Sequence, residues 1–208
     1  MPVIARLIFP ILLLSIALVS FQVGWVTMTD RQFLVDELVD QALATNPNAR
    51  ESEIRPRLEN ISPAILVVPT IVITPIALTA LSALMAAYLN FISKFGLREY
   101  TFRHWWSLVS WTSLPSLLLG LAGWAVILSS TNGQIPRTSL SPLSIVNLLA
   151  LDSGKSMLQS LSLPQIWSQV LMVIGYQSFT GKSLGKSAAI TLAPFVLIYG
   201  IWAAFSFR

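Results

Sequence analysis

From Trp105 to Leu128 the chain runs for 24 residues without one charged side chain. As a helix this run is about 36 Å long, more than the roughly 30 Å of a bilayer's hydrocarbon core, so it predicts a membrane-spanning segment. At about 100° per residue, Thr112, Ser113, Ser116, Gly120 and Gly123 share one face, and Trp111, Leu114, Leu118, Leu121 and Ala125 lie opposite. Lipid tails are as apolar as leucine and drive no helices together, so small residues mark where backbones approach, while the large face suits lipid. The face from Thr112 to Gly123 is therefore expected to pack on other spans, with the second and fifth as partners, which makes this helix a packing hub. Pro115 removes a ladder donor mid-span, so a bend is expected there, with the hydroxyls of Thr112 and Ser113 in reach of freed carbonyls.

The rest of the chain fits the same solvent. Of 208 residues, 54% are hydrophobic and only 11% charged, with a mean hydropathy of +0.71, where soluble domains carry about 25% charge. There is no cysteine, which excludes disulfides, thiolate metal sites and cysteine nucleophiles. The net charge of +4 comes from thirteen basic residues scattered singly through short connections. That distribution suits anchoring at the lipid surface and does not suit nucleic acid.

Five spans are expected, at about residues 4–27, 63–92, 105–128, 164–180 and 184–205, giving an all-α polytopic bundle that forms a single integral membrane domain over 1–208. The first apolar run is longer than a signal peptide's h-region of roughly 7–15 residues and lacks a small-x-small cleavage site, so it reads as a permanent helix. The second contains Pro69 and Pro75, expected to kink it or make it partly irregular, with Thr70 and Thr74 serving the freed backbone and Ala80, Ala83 and Ala87 forming a packing edge. In the last span Gly185, Ala189 and Ala193 recur in steps of four as another small-residue edge, and Pro194 marks a kink.

Residues 29–62 hold seven of the nine carboxylates, alternating with four arginines. Thr29 and Gln32 predict a capping box for an amphipathic helix from about Asp30 to Ala44, and Asn48 with Glu51 a second short helix that Pro56 limits or bends. The carboxylates have no metal-ligand spacing and read as a solvated surface. Asn60-Ile61-Ser62 matches a glycosylation acceptor, but Pro63 follows directly. Further on, Ser141-Pro142 is expected to start a short helix. Gly181-Lys182-Ser183 misses the P-loop spacing, since five residues rather than four separate Gly175 from Gly181.

Orientation follows from basic residues in short connections. Arg6, Lys94, Arg98, Arg103, Lys182 and Lys186 would share one side, and the longer segments opposite mix their arginines with eight carboxylates. The positive-inside rule then puts the N-terminus in the cytoplasm, with the acidic segment and the C-terminus outside it.

The runs FRHWWSLVSWTSLPSLL, SPLSIVNLL, LPQIWSQVLMVIG and APFVLIYGIWAAF, in this order and spacing, resemble bacterial members of the Yip1 domain family over about residues 63–207. The resemblance implies a five-helix bundle of the bacterial inner membrane with a cytoplasmic N-terminus. For eukaryotic relatives it implies roles in vesicle traffic and contact with prenylated small GTPases. The long N-terminal region of those relatives has no counterpart ahead of the first span, so that role is not carried over.

An enzyme would need ionisable or nucleophilic groups gathered in one place, and the single histidine, His104, sits beside Arg103 at an interface without a ligand or base partner at helical spacing. No catalytic, metal or cofactor residue is therefore expected. A coupled transporter would need a charge well inside the membrane, and the spans contain none away from their ends, where Arg6 and Lys186 lie. The reading that remains is a non-enzymatic membrane protein whose partners are lipid and other membrane proteins or a second copy. A passive channel or carrier for a small neutral solute is the alternative, because proline-broken helices with hydroxyl rows can line a cavity.

Overall fold

The computed structural model describes residues 3–46, 48–95, 100–150 and 160–206. Arg98, Glu99, Asp152 and Lys155, placed in loops by the sequence, lie outside the described residues. Helix α1 spans Val3–Met28. Two short helices follow, α2 over Arg31–Thr45 and α3 over Glu51–Glu59. Helix α4 covers Pro63–Ser93. The central span is compound: α5 over Phe102–Thr112, a 3-10 turn over Leu114–Ser116, and α6 over Leu117–Ser129. A 3-10 turn at Arg137–Leu140 and the short α7, Ile145–Leu148, lead to α8 at Leu163–Thr180 and α9 at Leu184–Ser206. The described residues contain no named strand, only one antiparallel bridge between Ser144 and Ser162.

Four of these helical stretches are long and apolar enough to cross a membrane: Leu7–Met28, Pro63–Ser93, Phe102–Ser129 and Leu184–Ala204. The protein is thus an all-helical membrane protein with four candidate spans among the described residues. Helix α8, the expected fifth, reaches only about 27 Å at 1.5 Å per residue, and Gln165, Gln169 and Gln177 lower its hydropathy.

Helix α1 packs on α4, α5 and α6. Helix α4 also meets α5, and α8 leans on α5 and on the Pro115 turn before pairing with α9. Two cores result. One joins Met85, Ala86 and Leu89 of α4 with Trp105, Leu108 and Val109 of α5 and Met172 and Tyr176 of α8. The other joins Phe21 and Trp25 of α1 with Leu34 of α2, Ile127 of α6, and Ile135 and Leu140 of the following loop, at the opposite end.

The prolines act differently from one another. At Pro115 the α-helical ladder gives way to the 3-10 turn, and the hydroxyls of Thr112 and Ser113 turn back onto the carbonyls of Leu108 at 2.8 Å and Ser110 at 2.7 Å. By contrast α4 is α-helical throughout, Pro69 and Pro75 included, so of the two expectations for it, a kink or a partly irregular stretch, the irregular stretch is absent, and Thr70 donates to the Leu66 carbonyl at 3.4 Å. Pro194 likewise lies inside the continuous α9. The buried face of α4 is Met85, Ala86, Leu89 and Ser93, whereas Ala80 and Ala87 of the expected edge are exposed.

Three helix starts also differ from expectation. Asp30, not Thr29, caps α2, accepting from the backbone of Gln32 and Phe33. The reason is that the Thr29 N–H still bonds the Trp25 carbonyl at 3.0 Å and so belongs to the end of α1. Arg50 precedes α3 without a side-chain cap, and the Asn48 N–H is taken by the Asn46 side chain at 3.3 Å. The short helix expected at Ser141-Pro142 begins instead at Ile145, because Ser144 both caps it and is pinned to Ser162 by the bridge.

Beyond α1, the α2–α3 hairpin is held by its arginines. Arg31 donates to the carbonyls of Leu58 and Glu59, at 3.2 Å each, and to that of Ile61. A cation there complements the negative end of the α3 dipole. Arg55 joins Asp36 at 2.6 Å and Glu51 at 2.8 Å.

Candidate functional site

The central span's small face is a place of close helix approach. Thr112, Gly120 and Gly123 are buried, and Ser113, Pro115 and Ser116 half-buried. The partner of the two glycines is α1, not the second or fifth span. A Cβ on Gly120 would stand 2.8 Å from the Ala17 carbonyl oxygen, and one on Gly123 2.6 Å from the Phe21 ring. The seam is reciprocal: a Cβ on Gly24 of α1 would meet the Trp124 ring at 2.6 Å, and the Trp124 indole N–H donates to Ser20 at 3.1 Å. Ser116 faces α8 instead, 3.4 Å from the Ser168 hydroxyl.

On α9 the expected edge points the other way. Around Gly185 no heavy atom of the described residues lies within 4 Å of an added Cβ, and Ala189 and Ala193 are exposed. Ser187 and Thr191, both fully buried, form the contact face. The reason is rotational. Positions two residues apart on a helix face opposite sides, and α9 is fixed by its backbone and aromatic contacts, with Tyr88 donating to the Ile190 carbonyl at 3.0 Å and Gln165 to Tyr199 at 3.3 Å.

His104 has a local role. Its Nδ1 accepts the Thr101 N–H at 3.2 Å, closing the first turn of α5, and its ring meets Tyr100 edge-on. Among the described residues no three His, Asp or Glu side chains converge as a metal site.

A feature that the sequence did not reveal lies at the other end of the bundle. Here a cleft of about 830 Å³ opens between the end of α1, one face of α2, and the loop from Arg137 to Asn147. Glu37, Asp40, Gln41 and Ala44 recur at helical spacing along its α2 wall, and Phe21 and Leu140 are its buried apolar parts. On the facing wall the Arg137 guanidinium donates to the Gln41 side chain at 2.8 Å and lies 5.5 Å over the Trp25 ring. Trp25 in turn donates to the Ile135 carbonyl at 2.9 Å, which fixes the loop two residues before Arg137. The polar face of α2 was legible as a solvated surface. Its opposing wall was not, because Arg137 comes from 96 residues further along the chain.

The Yip1 domain matches the chain over residues 1–205. Among curated proteins and solved structures nothing matches.

Proposed function

The chain belongs to the Yip1 domain family, and from that premise we propose that it is a five-pass protein of the bacterial cytoplasmic membrane which binds and organises other membrane components without catalysing a reaction. In this reading α8 is the fifth pass, extended by its flanks, the N-terminus is cytoplasmic, and α2 and α3 lie outside. The distribution of charge supports it: Lys94, Arg103, Lys182 and Lys186 adjoin the span ends opposite those that carry α2, α3 and Arg137.

The observation that carries the binding reading over the passive conduit is where the spans' hydroxyls stand: those of Ser110, Tyr176 and Ser187 are fully buried and closed to solvent, without a hydrogen-bond partner among the described residues. The hydroxyls of Thr112, Thr191, Ser168 and Thr180 each donate to a carbonyl one turn back on their own helix, at 2.8 to 3.0 Å. Donors paired in this way are not free to replace the hydration of a passing solute. Meanwhile the α1–α6 seam leaves no room between those helices even for a methyl group, and α4 turns Ile65, Val68, Ile73 and Ile76 outward, a surface for lipid or for other spans.

Reconstitution of the purified full chain into liposomes tests the reading. Copurification of a defined membrane component, with solute permeability equal to that of empty liposomes, is the expected result. A protein-dependent flux of small neutral solutes would overturn it in favour of the conduit.

A further inference from the structure

We propose that the cleft between α2 and the Arg137 loop is a binding site for a zwitterionic headgroup, a phosphate beside an ammonium, supplied by phospholipid of the adjoining leaflet. This rests on the reading that the chain binds membrane components and names the class of one of them.

The charge arrangement in the cleft is unusual. Glu37 and Asp40 stand one turn apart on the same face of α2, and Arg137 faces them across the space. Yet Arg137 pairs with the neutral Gln41, and the ion pairs among the described residues are those of Arg55 with Asp36 and Glu51. Opposite charges are therefore held in one cleft without collapsing onto each other. A ligand carrying both signs satisfies both walls. A simple anion would meet two carboxylates for one guanidinium, and a metal cation would find two carboxylates facing an arginine.

Arg137 is suited to the phosphate. The Trp25 ring and the Gln41 side-chain oxygen Oε1 fix its guanidinium at little further entropic cost, and one of its five N–H donors is used by Gln41, leaving the others for phosphate oxygens. Cation–π stacking does not consume those donors. An ammonium then falls to the α2 carboxylates.

The position in the fold favours a lipid as the source. Phe21 and Gln22 line the cleft and belong to the candidate span Leu7–Met28, so the site sits where that span leaves the hydrocarbon and headgroups lie. Its volume of about 830 Å³ falls in the range of roughly 300–1,000 Å³ found for ligand sites, room for more than the headgroup alone.

The test is lipid retention by the full chain. Protein reconstituted in vesicles of equal parts phosphatidylethanolamine and phosphatidylglycerol is extracted gently, and its bound lipid is identified by native mass spectrometry. The expected result is enrichment of the amine-bearing lipid by about tenfold, the worth of one charge-assisted hydrogen bond. Glu37→Gln and Asp40→Asn should each reduce that enrichment, and Arg137→Gln should lower total retention. Melting in detergent shows which variants remain folded, and the two α2 variants are independent routes to the same readout. In a second arm, soluble glycerophosphoethanolamine is added to lipid-stripped protein: thermal stabilisation by it, without lipid enrichment, would keep the zwitterion chemistry and move its source to solution. Equal retention of both lipids with no soluble stabilisation, or preference for phosphatidylglycerol, would overturn the proposal. Because the readout is neither flux nor partner capture, this site can fail while the organising role stands, and the reverse.

Discussion

The Cα of Gly120 faces the carbonyl oxygen of Ala17 so closely that a methyl group built on it would lie 2.8 Å from that oxygen. The obstacle is backbone rather than a flexible side chain, so it cannot swing aside. Gly120→Leu is therefore expected to force α6 off α1 and to cost on the order of 1–3 kcal/mol, the usual range for overpacking. Leu118, on the opposite side and 45% exposed, meets lipid that rearranges, and Leu118→Phe should melt like the parent. Thermal aggregation of both variants in detergent checks this. Equal losses, or a larger one for Leu118→Phe, would mean that the lipid and helix faces are assigned the wrong way round.

Why the sequence revealed one side of this seam and not the other is a matter of period. Gly120 and Gly123 stand out in a run rich in leucine, and a helical wheel places them with Thr112 and Ser116. The matching edge of α1, Ala17, Ser20 and Gly24, lies in a run just as apolar, where spacing alone does not say which neighbour it meets. On α9 the same reasoning selected Gly185, Ala189 and Ala193, but Tyr88 and Gln165 hold that helix by Ile190 and Tyr199, and this turns Ser187 and Thr191 inward. Small residues at steps of four reveal a face that permits close approach. They do not determine which of several such faces is used. The cleft was hidden for a different reason, since its two charged walls meet only through tertiary folding.

The two arginines of the hairpin should behave differently. Arg31 is half-buried and serves three carbonyls at the C-terminal end of α3. Arg31→Ala is expected to loosen α3 by about 1–2 kcal/mol, by loss of charge-assisted hydrogen bonds and of the dipole contact. Faster amide exchange confined to residues 51–61 would register it.

Arg55, by contrast, holds Asp36 and Glu51 in open solvent. Its guanidinium is raised further above its ordinary value, first by the hydrogen bond to Asp36 and then by that to Glu51. A raised folded value means that the group's contribution is present at every pH below its unfolded value and is lost only on passing the folded one, above any working range. Arg55→Gln should accordingly leave melting unchanged at neutral pH, in low salt and in high salt alike, as exposed pairs of this kind contribute little.

His104→Ala removes the acceptor for the Thr101 N–H and should cost α5 no more than about 1 kcal/mol, as for loss of a cap. If no reaction depends on this side chain, the variant should restore the phenotype of a gene deletion at normal abundance. Failure to do so, with abundance unchanged, would return catalysis to consideration.

Orientation and the number of passes can be tested together, because the chain has no cysteine of its own and accepts single ones as labels. Glu53 on α3 and Ser183, just after α8, are both exposed. The loop before α8 is tied to the α2 end, with the Asp30 N–H bonding the Gly133 carbonyl at 2.7 Å and the Arg137 side chain bonding Gln41. If α8 crosses the bilayer, residues 53 and 183 must then lie on opposite sides; if it does not, they share one. With the N-terminus in the cytoplasm, Glu53→Cys should react with a membrane-impermeant maleimide in intact cells and Ser183→Cys only after the membrane is broken. Labelling of both from outside would reduce the passes to four, and the reverse pattern would keep five but invert the protein, setting the basic connections outside against the positive-inside rule.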